Sequence, residues 1–392
     1  MRLPLPFTHQ LTHAVATSDN KTLMDGRVTG LNLEHSELTT VPPELWSLSK
    51  LRCLDLSHNA LKIIPPDLGN LVSLKTLNLC SNTELIRVPP EIGQLRALKS
   101  FLLCDVSPRL MRTLPWTAIA TLPELASLYL GSNQMTDIPP ALREEARQPS
   151  ARVPFAALEM LSLTINKLKS LPAGFGNLPA LATLDLSDNE LAYAPPELGR
   201  LTSLKSLDMS DNKLKRVAPE LGLLIKLETL DLGSNRLSNL PVEIGNLSSL
   251  KELTVSDNQL TNLPAELGNL QHTLTTMSLE GNSLTHVPST LGDLSTLQVL
   301  TISGNSLRSL PADIGRLSAL NELDVSYNNL TRLPAALGNL SSLTTLLLAD
   351  NQLTHLPSEL GLLTGLETLT LMGNPGLKTV PALFSQLNGR EF

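Results

Sequence analysis

The residue types best able to do chemistry in this chain are three cysteines, Cys53, Cys80 and Cys104, with His35 and His58 nearby, and the aspartates that recur between Asp185 and Asp257. Thiols beside imidazoles suggest a metal centre. A tetrahedral ion needs four donors at about 2.0–2.3 Å, usually drawn from closely paired cysteines. No Cys-x-x-Cys pair occurs, so free thiols and no metal are expected, although Cys80 and Cys104 share a repeat position and could approach laterally. Paired carboxylates suggest acid–base work, but that requires a closed, dry pocket to tune them. Phosphate-loop, zinc-protease, nucleophile-elbow and kinase signatures are all missing from the sequence. No catalytic activity and no cofactor are expected.

What positions these residues is a repeat. Leu297, Leu300, Ile302, Asn305 and Leu307 are followed by Leu310-Pro311. The set recurs 23 residues on at Leu320, Leu323, Val325, Asn328 and Leu330, with Leu333-Pro334, and again from Leu343, with Leu356-Pro357. One such unit cannot bury its own leucines, so the units must stack as a solenoid. The asparagine position falls at Ser36, Asn59, Asn82, Val106, Asn133, Asn166, Asn189, Asn212, Asn235, Asn258, Asn282, Asn305, Asn328, Asn351 and Asn374, which makes 15 repeats. Alternation at L-x-L predicts a short strand with both leucines inward. A buried carboxamide pairs the backbone of the turn that follows. Proline then holds the return path, and P-x-x-L-G predicts a short helical or 3-10 turn that the glycine terminates. The expected fold class is an α/β solenoid, a horseshoe with a concave parallel sheet and short helical or 3-10 turns on the convex side.

The boundaries follow: 1–27 an N-terminal cap or tail, 28–387 the repeat domain, 388–392 a C-terminal tail. Two irregularities stand out. Val106 replaces an asparagine, so the backbone there must pair differently. The step from Asn133 to Asn166 is 33 residues, placing an insertion at about 141–155 with a lengthened helix from Leu142. Within it Arg152, Val153, Pro154 and Phe155 look like a short phosphatase-docking sequence; proline in the middle is disfavoured there, and a structural link with Phe155 packed inward is preferred.

The net charge of -7 argues against nucleic acid as a partner. No apolar run reaches membrane-spanning length and Met1 to Gln10 lacks a leader's apolar core, so no membrane insertion and a cytoplasmic address are expected. On the concave face, neighbouring strands lie about 4.8 Å apart. Asp185, Asp188, Asp208, Asp211, Glu228, Asp231, Glu252 and Asp257 would then form one acidic field, suited to a basic partner surface. Leu102, Tyr129, Met160 and Ile165 form a second, apolar candidate.

The L-x-x-L-P-x-x-L/I-G-x-L unit, over residues 28–387, resembles the leucine-rich repeats of SHOC2-type intracellular Ras-associated scaffolds and of plant intracellular Ras-group proteins. That resemblance implies protein recognition on the concave face, with a small GTPase or a phosphatase as partner. The expected function is a non-enzymatic scaffold in intracellular signalling, acting as a monomer. The alternatives are a ligand-recognition receptor or pathogen effector fragment of the same repeat type, and a structural repeat protein without a single ligand.

Overall fold

The computed structural model describes residues 21–24, 27–143 and 153–378. The chain comprises two compact units, Met1–Asp185 and Leu186–Phe392. Most of the N-terminal cap or tail, the body of the insertion and the C-terminal tail fall on residues outside those described.

Each repeat contributes one three-residue strand followed by a tight turn and an outer 3-10 segment. In the first unit β1 (Lys21–Met24) pairs antiparallel with β2 (Arg27–Asn32). Parallel pairing then runs through β3 (Cys53–Asp55), β4 (Thr76–Asn78), β5 (Ser100–Leu102), β6 (Ser127–Tyr129), β7 (Met160–Ser162) and β8 (Thr183–Asp185). The second unit continues the same design from β9 (Ser206–Asp208) through β10 (Thr229–Asp231), β11 (Glu252–Thr254), β12 (Thr276–Ser278), β13 (Val299–Thr301), β14 (Glu322–Asp324) and β15 (Thr345–Leu347) to β16 (Thr368–Thr370). Register is strict: Leu230 lies between Leu207 and Leu253. Strands β2 to β16 thus supply one parallel strand for each of the 15 repeats, as the periodicity requires. The β1 hairpin was not anticipated. It covers the strand edge that a first repeat would otherwise leave unpaired.

The asparagine ladder joins repeat to repeat. Asn235 Nδ2 donates to the carbonyls of Leu232 and Gly233 in its own turn and to Met209 of the repeat before, at 3.0, 2.9 and 2.9 Å. Its Oδ1 accepts from the Leu214 amide at 2.9 Å. The same reach back to the preceding repeat recurs at Asn59, Asn82, Asn133, Asn166, Asn212, Asn258, Asn282, Asn305, Asn328, Asn351 and Asn374. Asn189 bonds Leu186 and Ser187 of its own turn.

Val106 shows how a missing rung is bridged. With no carboxamide there to accept it, the Leu85 amide turns back to the Asn82 carbonyl at 2.9 Å. The extra residue between Asn82 and Leu85 makes that turn possible. Leu377 bonds Asn374 at the same spacing and 3.1 Å. Past Val106 the outer side forms two short helices, α1 (Pro108–Thr113) and α2 (Trp116–Ala120). Phe155 is fully buried, and its amide donates to the α2 carbonyl of Ala120 at 2.9 Å. It is therefore the internal anchor of the link after the insertion.

The glycine of P-x-x-L-G does not end the outer turn. Gly245 lies inside the 3-10 segment Val242–Asn246 and is buried. A Cβ there would overlap the Glu266 carbonyl of the next repeat. Glycine thus sets how closely consecutive outer turns stack, a packing role that replaces the expected chain-terminating one.

Asn235→Ala should lower the unfolding free energy of the chain by about 2–4 kcal/mol, because it strands the buried Leu214 amide and several carbonyls. Asn246→Ala, at an exposed asparagine of the outer turn, should stay within about 0.5 kcal/mol. Urea denaturation followed by circular dichroism checks both; equal losses would contradict the ladder's role.

Candidate functional site

The strand face carries two acidic columns with different surroundings. The first lies at the third strand residue. Asp208 is only 2 % exposed, and its Oδ1 accepts the Ser210 amide at 2.9 Å and the Ser210 hydroxyl at 2.6 Å. Asp55 does the same with Ser57, and Asp231 and Asp324 accept the amides of Gly233 and Ser326. Asn32 and Asn78 serve equally well. These side chains hold the strand-to-turn step. Asp185, in the first unit, is also buried, and accepts from the Ser162 hydroxyl at 3.3 Å.

The second column precedes the ladder asparagine. In the second unit Asp188, Asp211 and Asp257 occupy it, all exposed and all with φ near +52°. The left-handed backbone there suits Asp, Asn and Gly, and Gly281 and Gly304 continue the column. Glu252 is exposed on β11, whereas Glu228 is held by Lys251 at 2.6 Å, which keeps its carboxyl below the ordinary range. The eight acidic candidates therefore do not form one uniform field. Alternation read from sequence places both columns on the face but does not reveal that the Asp-x-Ser spacing turns the first one inward.

The apolar candidates also divide. Leu102 and Tyr129 are register partners on β5 and β6, but Leu102 is buried and Tyr129 half-buried. Met160 pairs instead with Ser127, and Ile165 is 55 % exposed beyond β7. Leu102 has a further effect, since it occupies the capping position. The Cys104 amide, deprived of an Asx oxygen, donates to Cys80 Sγ at 3.1 Å. The two half-buried thiols interact directly: a bond from Cys80 favours the thiolate of Cys104, and this same contact, with burial, pushes the Cys80 thiol up. Burial and the nearby Cys104 raise the Tyr129 hydroxyl. Cys53 lies elsewhere, on β3, and the histidines do not join the thiols. His35 and His58 stack on each other, with ring centroids 4.4 Å apart.

Burial raises the Asp231 carboxyl, reinforced by Asp211 and Glu280 and opposed by the Gly233 amide. A raised folded value means that the folded chain binds this proton more tightly than the unfolded one. Ionisation at neutral pH therefore costs stability, and the cost is relieved as pH falls through the raised value. Asp231→Asn keeps the oxygen for Gly233 and removes the charge. It should raise the urea midpoint at pH 7, with the gain shrinking as the pH enters the carboxylate range; a midpoint below wild type at pH 7 would contradict this.

Family models described as a leucine-rich repeat region and as a leucine rich repeat match residues 266–372, and residues 26–83 and 202–260, respectively. No curated protein gives a significant match. Among solved structures the chain is similar to a leucine-rich-repeat protein of Leptospira interrogans, at 32 % identity over 92 % of this chain and 95 % of that one, with a TM-score of 0.79. It is similar to a TDR receptor at 28 % identity over 92 % of this chain and 66 % of that one, with a TM-score of 0.67. An internalin of Listeria monocytogenes shares the fold at 22 % identity, 88 % and 86 % coverage and a TM-score of 0.61. The similarity to a TDR receptor corrects the cytoplasmic address expected above, which these comparisons contradict. The repeat pattern reports packing, and packing is indifferent to compartment. The intracellular-scaffold resemblance, and with it a GTPase or phosphatase partner, gains no specific support. Among the described residues no helix is long and apolar enough to cross a membrane. Domains of this kind are ligand-binding modules, used for protein–protein interaction and not for catalysis. With one strand for each of 15 repeats and 32 % identity across nearly the whole of both chains, this protein belongs to the leucine-rich-repeat family.

Proposed function

We propose that this chain is a recognition module of the receptor or effector type, which binds a protein or peptide ligand on its strand face. The observation that carries this is the exposed acidic column of the second unit, Asp188, Asp211 and Asp257, with Glu252 beside it. These carboxylates are exposed, outside the leucine core. At a strand spacing of about 4.8 Å, with Ser234 between Asp211 and Asp257, they present a negative strip to a basic partner surface, and such strips steer encounter and fix register. The similarity to a TDR receptor supports recognition in preference to intracellular scaffolding. Asp208 and Asp231 contribute indirectly, by holding strand-to-turn steps beside the strip.

The test neutralises the strip without straining its left-handed backbone. Asp188→Asn, Asp211→Asn and Asp257→Asn are combined with Glu252→Lys, and partner capture is compared with wild type from the source organism's extracts and medium. The reading predicts a stoichiometric partner whose affinity falls by about tenfold or more in the variant, and in wild type as salt rises. Equal capture by both proteins at low salt would overturn it.

A further inference from the structure

We propose that Glu34, His35 and His58 form a site for one divalent transition-metal ion of the zinc and copper(II) class, at the first two rungs of the strand face. His35 and His58 occupy the same repeat position in consecutive repeats. Strands β2 and β3 run in register there, with Asn32 opposite Asp55. The ladder continues past the strands, as the His35 amide donates to Ser57 at 3.3 Å and the His58 amide to Cys80 at 3.0 Å. The two backbones are thus fixed one strand spacing apart before any ion arrives.

The side chains complete the arrangement. The imidazoles stack with centroids 4.4 Å apart and an interplanar angle of 21°. Glu34 Oε1 lies 3.7 Å from His35 Nε2. One donor atom from each of the three residues lies within 4.8 Å of the other two. Bonds of about 2.0–2.2 Å would set donors roughly 3.3–3.6 Å apart around a tetrahedral ion. All three side chains are exposed, so rotation about their own torsions closes that difference with the backbone unmoved. Two imidazoles and a carboxylate, with water in the open positions, select borderline transition ions over calcium or magnesium.

Nothing else in the fold calls for histidine here. The turn needs only a residue that accepts φ near +53°, and the other repeats meet that need with Ser, Asp, Gly, Ile or Tyr. The rings support no core, and among the fifteen equivalent positions histidine occurs at these two adjacent ones alone. The thiols belong to a separate pair, Cys80 with Cys104.

The full chain without an affinity tag is titrated with zinc chloride by calorimetry, and copper(II) is read by electron paramagnetic resonance. The expected result is one ion per chain with a roughly micromolar Kd, and a copper spectrum split by two imidazole nitrogens. His35→Asn with His58→Asn should weaken zinc binding by more than about tenfold, since asparagine keeps the left-handed turn while removing both rings. His272→Asn with His286→Asn should leave it unchanged. The proposal is overturned if wild type takes up no zinc at millimolar concentration, if stoichiometric binding persists in the His35/His58 variant, or if it is lost instead in Cys80→Ser with Cys104→Ser.

Discussion

The structure depends on a carboxamide that recurs at one position of every repeat but those of Ser36 and Val106. A three-residue strand forms too few bonds to close its own turn, and its leucines have no interior until a neighbour arrives. The ladder asparagine solves both problems. Its amide nitrogen bonds the carbonyls of its own turn and of the previous repeat, and its oxygen takes an amide of that previous repeat, as Asn212 does with Leu186, Met209, Ser210 and Leu191. The repeat is therefore the unit of sequence, while the unit of stability is the junction between repeats. Val106 supports this from the other side: where the carboxamide is missing, an added residue lets a local turn take over the orphaned amide.

The two faces then come under different constraints. On the outer side, consecutive 3-10 turns approach so closely that a Cβ at Gly222 or Gly245 would overlap the next repeat's backbone. That side has little freedom to vary. On the strand face the first column caps the turn wherever it carries Asn32, Asp55, Asn78, Asp208, Asp231 or Asp324, and the second needs only to tolerate a left-handed backbone. Recognition chemistry has room to evolve in the second column, which is where the exposed aspartates and the two stacked histidines are found.

Most of the fold was legible because leucine, asparagine and proline recur at fixed spacing, and each has one physical use at its place. The β1 hairpin was not legible, since it falls outside the repeat. The glycine's role was misread because glycine after a helical turn usually marks its end; only the distance to the next repeat shows otherwise. The candidate site was legible in position but not in burial. Asp208 and Asp211 look equivalent in a string of letters, yet one is bonded to Ser210 and the other faces solvent. The address was not legible at all, because the repeat's requirements are internal to it.

The strand face's aspartates divide into those that build the turn, such as Asp208, and those that stand exposed, such as Asp211. The most direct test compares the unfolding free energies of Asp208→Ala and Asp211→Gly by urea denaturation, glycine being chosen because it suits the backbone at Asp211. A loss of about 2 kcal/mol is expected for the first, where a buried amide and hydroxyl lose their acceptor, and a change within about 0.5 kcal/mol for the second. Equal destabilisation of the two variants, or a larger loss at Asp211, would contradict that division.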